Sequence, residues 1–195
     1  GLLEKPERCI LAGLFYRTPW TRDAAFNTWY GAGLVIPEIA RDTLRSVLTR
    51  DEHGLRIGGQ YWDAILWTTG AWYFYLYTGD RDFLALSLEA SANSLRFFEA
   101  TEFDAADGLF RGRACFQDGI AAYPDAFVGL GPHHELAKDM RLIKACSTNC
   151  LYYNAYRLAS EMAVELGQAP DPTWSPKAAA LKDAIDRRFW NPARG

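Results

Sequence analysis

WDAILWTTGAWYFYLYTGDRDFLALSLEASANSLRFFEA, residues 62–100, is the stretch whose reading decides the fold. From Trp62 to Tyr77 it is apolar on nearly every face, which marks a helix buried on all sides. Thr78-Gly79-Asp80 ends that helix: glycine suits a left-handed C-cap, and Asp80 suits the N-cap of the next helix. Beyond it Phe83, Leu84, Leu88, Leu95 and Phe98 recur at turn spacing and predict a helix over 81–100. Two helices joined by so short a return form a tight antiparallel hairpin.

The same plan extends in both directions. Apolar residues recur at helical spacing from Asp23 to about Leu48, interrupted by Gly31, Gly33 and Pro37. Interior Gly and Pro weaken a helix, so the stretch divides into helices over about 22–32 and 36–49, with Pro37 in the first turn of the second. A Gly-rich connection follows over 51–60. Toward the C-terminus, Ser147 or Thr148 can cap a helix that runs to about Leu166 and is closed by Gly167, and a last helix spans about 177–189. Strand signals are weak throughout. The expectation is an all-α chain of about three helical hairpins. If each hairpin turns tightly at one end, the longer connections gather at the other, where a cleft can form. The longest connection, from Thr101 to about Leu130, interleaves turn residues with aromatics, unlike a flexible linker.

Composition narrows the function. Of 195 residues 49% are apolar and 23% charged, enough for a sizeable core. A net charge of −3 lacks the basic excess that a nucleic-acid binder shows. The apolar run Ile65–Tyr77 is too short to cross a membrane. Cys9, Cys115, Cys146 and Cys150 are too sparse for a disulfide scaffold. Cys146 and Cys150 lack further ligands at a usual spacing, so buried free thiols are expected rather than a metal site. His133 and His134 are adjacent and cannot both face one metal from a helix. No Gly-rich phosphate loop, nucleophile elbow or His-Glu-x-x-His run is present. Aromatic residues make up 14%, which fits bulky core packing or a cleft lined with flat rings.

Three segments carry candidate chemistry. Tyr16-Arg17-Thr18-Pro19-Trp20-Thr21-Arg22-Asp23 crowds a Trp, an Arg and an Asp at a helix start. It reads as a capped helix with Asp23 at its positive end, or as a sugar subsite with Trp20 as floor and Arg22 and Asp23 gripping hydroxyls. Gln60-Tyr61-Trp62-Asp63 stands at a second helix start, and Asp63 reads as a helix-start carboxylate or as one facing a cleft. In Phe116-Gln117-Asp118-Gly119-Ile120-Ala121-Ala122-Tyr123-Pro124-Asp125, Asp118 lies beside Gly119 and is flanked by rings. An ordinary Asp-Gly turn is one reading. The other is a partly desolvated carboxyl kept protonated near neutrality, as a general acid must be.

Together these segments resemble the six-hairpin glycosidases, most closely the mannosylglycerate-hydrolase-like and processing-glucosidase group. Trp20-Thr21-Arg22-Asp23, Tyr61-Trp62-Asp63, Tyr77-Thr78-Gly79-Asp80 and Asp107-Gly108-Leu109 leading to Asp118-Gly119 carry the likeness. Ser147-Thr148-Asn149-Cys150-Leu151-Tyr152-Tyr153 and Arg188-Phe189-Trp190-Asn191 extend it. The resemblance implies that residues 1–195 are the first part of an (α/α)6 toroid, about three hairpins of it, in a glycoside hydrolase catalytic domain. It implies an inverting, exo-acting enzyme on α-linked gluco- or manno-configured sugars, with no cofactor. Asp118 would be the catalytic acid, while Trp20, Arg22, Asp23, Tyr61, Trp62, Asp63, Gln117, Gly119 and Tyr123 would bind the sugar. The general base, a Glu, would come from the remainder of the same catalytic domain. The expected partners are therefore a carbohydrate substrate and that remainder, with no nucleic acid or membrane. A non-catalytic helical-repeat scaffold is the alternative, since helix periodicity fits both. Such a scaffold predicts charge-rich loops rather than loops mixing aromatics with carboxylates. A lyase or isomerase on the same toroid would place histidines in the cleft, and this chain has three.

Overall fold

The structure is a computed structural model, and it describes residues 8–115 and 143–194. It is predominantly helical and pairs its long helices as hairpins. Helix α1 (Thr21–Asn27) continues through a π-helical turn (Thr28–Ala32) and one further turn (Gly33–Val35) before α2 (Pro37–Ser46). The expected break falls at Gly31, whose φ of 140° leaves the helical region, and Pro37 opens α2 as the sequence predicts.

Helix α3 (Trp67–Thr78) and α4 (Arg81–Glu102) form the hairpin read from residues 62–100. Gly79 adopts the left-handed C-cap at φ 69°, and the Asp80 carboxylate accepts from the Phe83 amide at 2.9 Å. The third pair is α5 (Cys146–Glu165) and α6 (Trp174–Phe189). Neighbouring α1, α3 and α5 pack in one layer, with α2 against α1 and α3, α4 against α3 and α5, and α6 against α5. The core lies between the layers and is filled by Trp67, Phe74, Phe83, Leu84, Leu95 and Tyr152.

Three expectations need correction. Weak strand signals predicted no β-structure after α2, yet β1 (Leu48–Asp51) and β2 (Gly54–Ile57) form an antiparallel hairpin. Leu48, Leu55 and Ile57 bury their side chains on its inner face, and the Asp51 carboxylate accepts from the His53 amide to turn the chain. The buried run before Trp67 is a 3-10 turn (Ala64–Leu66) rather than α-helix, so α3 starts one turn late. Part of the long connection is ordered as a second hairpin, β3 (Phe103–Asp104) with β4 (Leu109–Phe110), turning at Asp107-Gly108.

Candidate functional site

The starts of α1 and of the 3-10 turn before α3 lie side by side. Gly70 explains why: a Cβ there would stand 2.6 Å from the Cα of Ala25, so only glycine lets α1 and α3 approach this closely. One turn above that contact, Arg22 Nη1 lies 3.5 Å from Asp63 Oδ2. Asp63 is 3% exposed, and an ionised carboxylate so buried needs a cationic partner. Both residues line a cleft of about 1060 Å³. Trp20, 38% exposed, lines the same cleft and meets Tyr16 edge-on at a ring separation of 5.3 Å. Tyr61 contributes another wall, and the Thr21 hydroxyl donates to the Gly58 carbonyl at 2.7 Å, fastening α1 to the segment that leaves β2.

The cleft gathers two sequence-separated segments, Trp20–Arg22 and Tyr61 with Asp63. Asp23 and Trp62 stand beside it without lining it. Asp23 sits in the first turn of α1, at its positive end. The Trp62 ring is turned into the protein, 6% exposed, beneath the Arg113 guanidinium at 5.3 Å from the ring centre. Gln117, Asp118, Gly119 and Tyr123 lie outside the described residues, as do His133 and His134.

Sequence reasoning missed Arg56, Phe97 and Phe98, which also line the cleft. Arg56 is held in an ion pair with Asp51 and lies 3.9 Å over the Phe97 ring centre. The cue was the alternation along β2, which a Gly-rich connection concealed. The cysteines differ from expectation in part: Cys115 is buried, whereas Cys146 and Cys150 are exposed free thiols. Partial desolvation against the helix and the neighbouring Cys146 thiol push the Cys150 thiol up to about 11. Among the described residues no cluster of three His, Cys, Asp or Glu could hold a metal ion.

A second cavity, about 750 Å³, opens between α4 and α6, where Lys177 bridges to Glu99 at 2.8 Å. No candidate residue from the sequence lines it.

A third arrangement joins these parts. The backbone from Phe110 to Cys115 crosses between the first turn of α5 and Trp62. Asn149, fully buried, accepts from the Phe110 amide at 2.7 Å and donates to the Phe110 carbonyl at 3.0 Å. The Thr148 hydroxyl donates to the Arg113 carbonyl and accepts from the Cys115 amide at 3.3 Å. Ser147 and Thr148 thus bind a neighbouring segment instead of capping α5, whose N-cap is Ala145. Cys115 packs with Ala25 and Leu66, each three residues along the chain from Arg22 and Asp63 respectively.

No family model and no curated protein matches this sequence. Among solved structures, the α-L-rhamnosidase from Dictyoglumus thermophilum is similar over 91% of this chain, with a TM-score of 0.60 and 21% sequence identity. The chain spans 20% of the length of that structure. The likeness is one of architecture: this chain shares its predominantly helical fold with part of that structure.

Proposed function

We propose that the chain is part of the catalytic domain of a glycoside hydrolase built on an (α/α)6 toroid, contributing about three of its hairpins. The reaction is inverting and exo-acting, on α-linked gluco- or manno-configured sugars. One observation carries the reading: a buried carboxylate, Asp63, faces a roomy cleft beside Arg22, with the Trp20 ring exposed on the same cleft. Sugars present hydroxyls at their edges and C–H groups on their faces, so a charged pair and a flat ring together match both. Arg22 donates to sugar oxygens, Asp63 accepts from hydroxyls, and Trp20 stacks on the ring face. Tyr61 closes a wall, while Asp23 and Trp62 support the two helix starts from behind.

Asp118 is assigned as general acid, with Gln117, Gly119 and Tyr123 near the sugar. Asp118 is the third residue after Cys115, and three extended steps along the chain reach at most about 11 Å. Support for the assignment is therefore the packing of Cys115 on Ala25 and Leu66, each three residues along the chain from Arg22 and Asp63 respectively. In an inverting reaction the acid protonates the leaving oxygen while a base about 6.5–9.5 Å away deprotonates water. That base, a Glu, comes from the remainder of the catalytic domain, which also covers the exposed apolar side chains of Tyr30, Leu34, Val35 and Leu76.

Aryl glycoside hydrolysis tests the reading. In a protein carrying the whole domain, Asp118→Asn is expected to lower kcat by about 10²-fold or more while leaving sugar binding intact. Undiminished turnover would remove Asp118 from the mechanism. The 195-residue chain alone is expected to turn over no glycoside, and measured hydrolysis would show that both carboxyl groups lie within it.

A further inference from the structure

The first turn of α5 contributes no side chain to the cleft, yet its contacts reach both cleft walls. Asn149 pairs with both backbone groups of Phe110 in the manner of a neighbouring strand, and its amide also donates to the Ala145 carbonyl at 2.9 Å. Only one orientation of that amide satisfies all three partners, so the side chain is locked. Thr148 fastens the same segment at Arg113 and Cys115. Between these two grips lies Gly112, pressed against Trp62. A Cβ on Gly112 would stand 2.7 Å from the Cβ of Trp62 and 3.3 Å from Cγ2 of Thr148. One turn further along α5, the Tyr152 hydroxyl donates to the Tyr61 carbonyl at 3.0 Å, while its ring stacks on Phe110 at 3.7 Å. Trp62 therefore sits between residues fixed from both sides, and its neighbours in the chain are Tyr61 and Asp63.

We infer that Thr148, Asn149 and Gly112 are positioning residues of the cleft: they seat the crossing segment 110–115 against Trp62 and thereby set where Tyr61 and Asp63 stand. Its consequence for ligand binding rests on the carbohydrate reading above; the seating itself does not. Thr148 is fully buried, and its hydroxyl makes the grip on the crossing segment at Arg113 and Cys115. Thr148→Val keeps shape and deletes those hydrogen bonds. Thr148→Ser keeps the hydroxyl and deletes a methyl group.

The test compares these two variants with the wild-type chain by amide exchange, NMR and titration with 1-deoxynojirimycin and 1-deoxymannojirimycin. Thr148→Val is expected to speed exchange at the Cys115 amide by about tenfold or more, since the amide loses its acceptor. It is also expected to shift the Tyr61, Trp62 and Asp63 amide signals and to weaken iminosugar binding by about tenfold, with exchange along α4 unchanged. Thr148→Ser is expected to restore all three properties. Wild-type affinity in Thr148→Val, or Tyr61–Asp63 signals that do not move, would overturn the positioning role. Failure of wild-type protein to bind either iminosugar would overturn the carbohydrate reading instead. The Tyr61–Asp63 signals then decide the positioning role: moved by Val and restored by Ser they support it, and unmoved they overturn it. If Thr148→Val does not fold, Gly112→Ala and Tyr152→Phe approach Trp62 and Tyr61 from the other side, with the same signals expected to move.

Discussion

Buried hydrogen-bonding groups decide several features of this chain one residue at a time. The Trp67 indole is completely buried and donates to the Leu44 carbonyl at 2.9 Å, tying α3 to α2. Trp67→Phe would strand that carbonyl, and a destabilisation of about 1–3 kcal/mol in urea unfolding is expected. No loss of stability would show that the bond contributes nothing net. Acid titration offers a second check. Lys144 hydrogen-bonds Asp104 at 2.8 Å and Asp107 at 2.6 Å, and the Lys144 contact in the first place holds the Asp104 carboxyl down to about 2. A depressed carboxyl favours the folded state above its unfolded pKa, and that contribution disappears as pH falls from about 4 through 2. Carbon-13 titration of Asp104 should give a midpoint near 2, and Lys144→Met should return it toward the ordinary 3.8. A wild-type midpoint at the ordinary value would contradict the ion pair. Such details divide sharply by how local they are. Asp80 was legible as a cap because its partner, Phe83, lies three residues on. Ser147 and Thr148 carry the same residue-type signal, but their partners lie more than thirty residues away, and nothing local distinguishes the two cases.

At the scale of elements, long-range geometry replaces pattern. The α3–α4 hairpin was readable because burial, stop signal and cap fall within one continuous stretch. The β1–β2 hairpin was not, since each strand has four residues and its register is fixed by packing on α4. The Ser94 hydroxyl accepts from the Ile57 amide at 2.9 Å, and Asn93 donates to the Leu55 carbonyl at 2.9 Å, so a helix supplies the missing strand edge. Gly70 gives the sharpest test of how elements meet. In an isolated helix Gly→Ala is favourable by about 0.8–1.0 kcal/mol. Here the added methyl meets the backbone of α1, and a net destabilisation of about 1–3 kcal/mol is expected. Because α1 carries Arg22 and the start of α3 carries Asp63, the same substitution should also weaken the sugar binding proposed for this cleft. A stabilised Gly70→Ala protein would show that the two helices do not touch as described.

For the molecule as a whole, the two packed layers bring one face of helix starts together, and the cleft follows from that meeting. Trp20, Arg22, Tyr61 and Asp63 were each candidates in the sequence, but their convergence belongs to the fold, as does the inward turn of Trp62. The central claim is that this convergence makes a sugar site. The most direct measurement is an NMR titration of the wild-type and Asp63→Asn chains with 1-deoxynojirimycin and 1-deoxymannojirimycin, following the Trp20 indole signal. The account predicts saturable shifts at Trp20 and Tyr61 in the wild type, and an affinity lowered about tenfold or more in Asp63→Asn, in keeping with loss of a charged hydrogen-bond acceptor. Absence of any shift at these residues with millimolar ligand, or equal affinity in the two proteins, would contradict it.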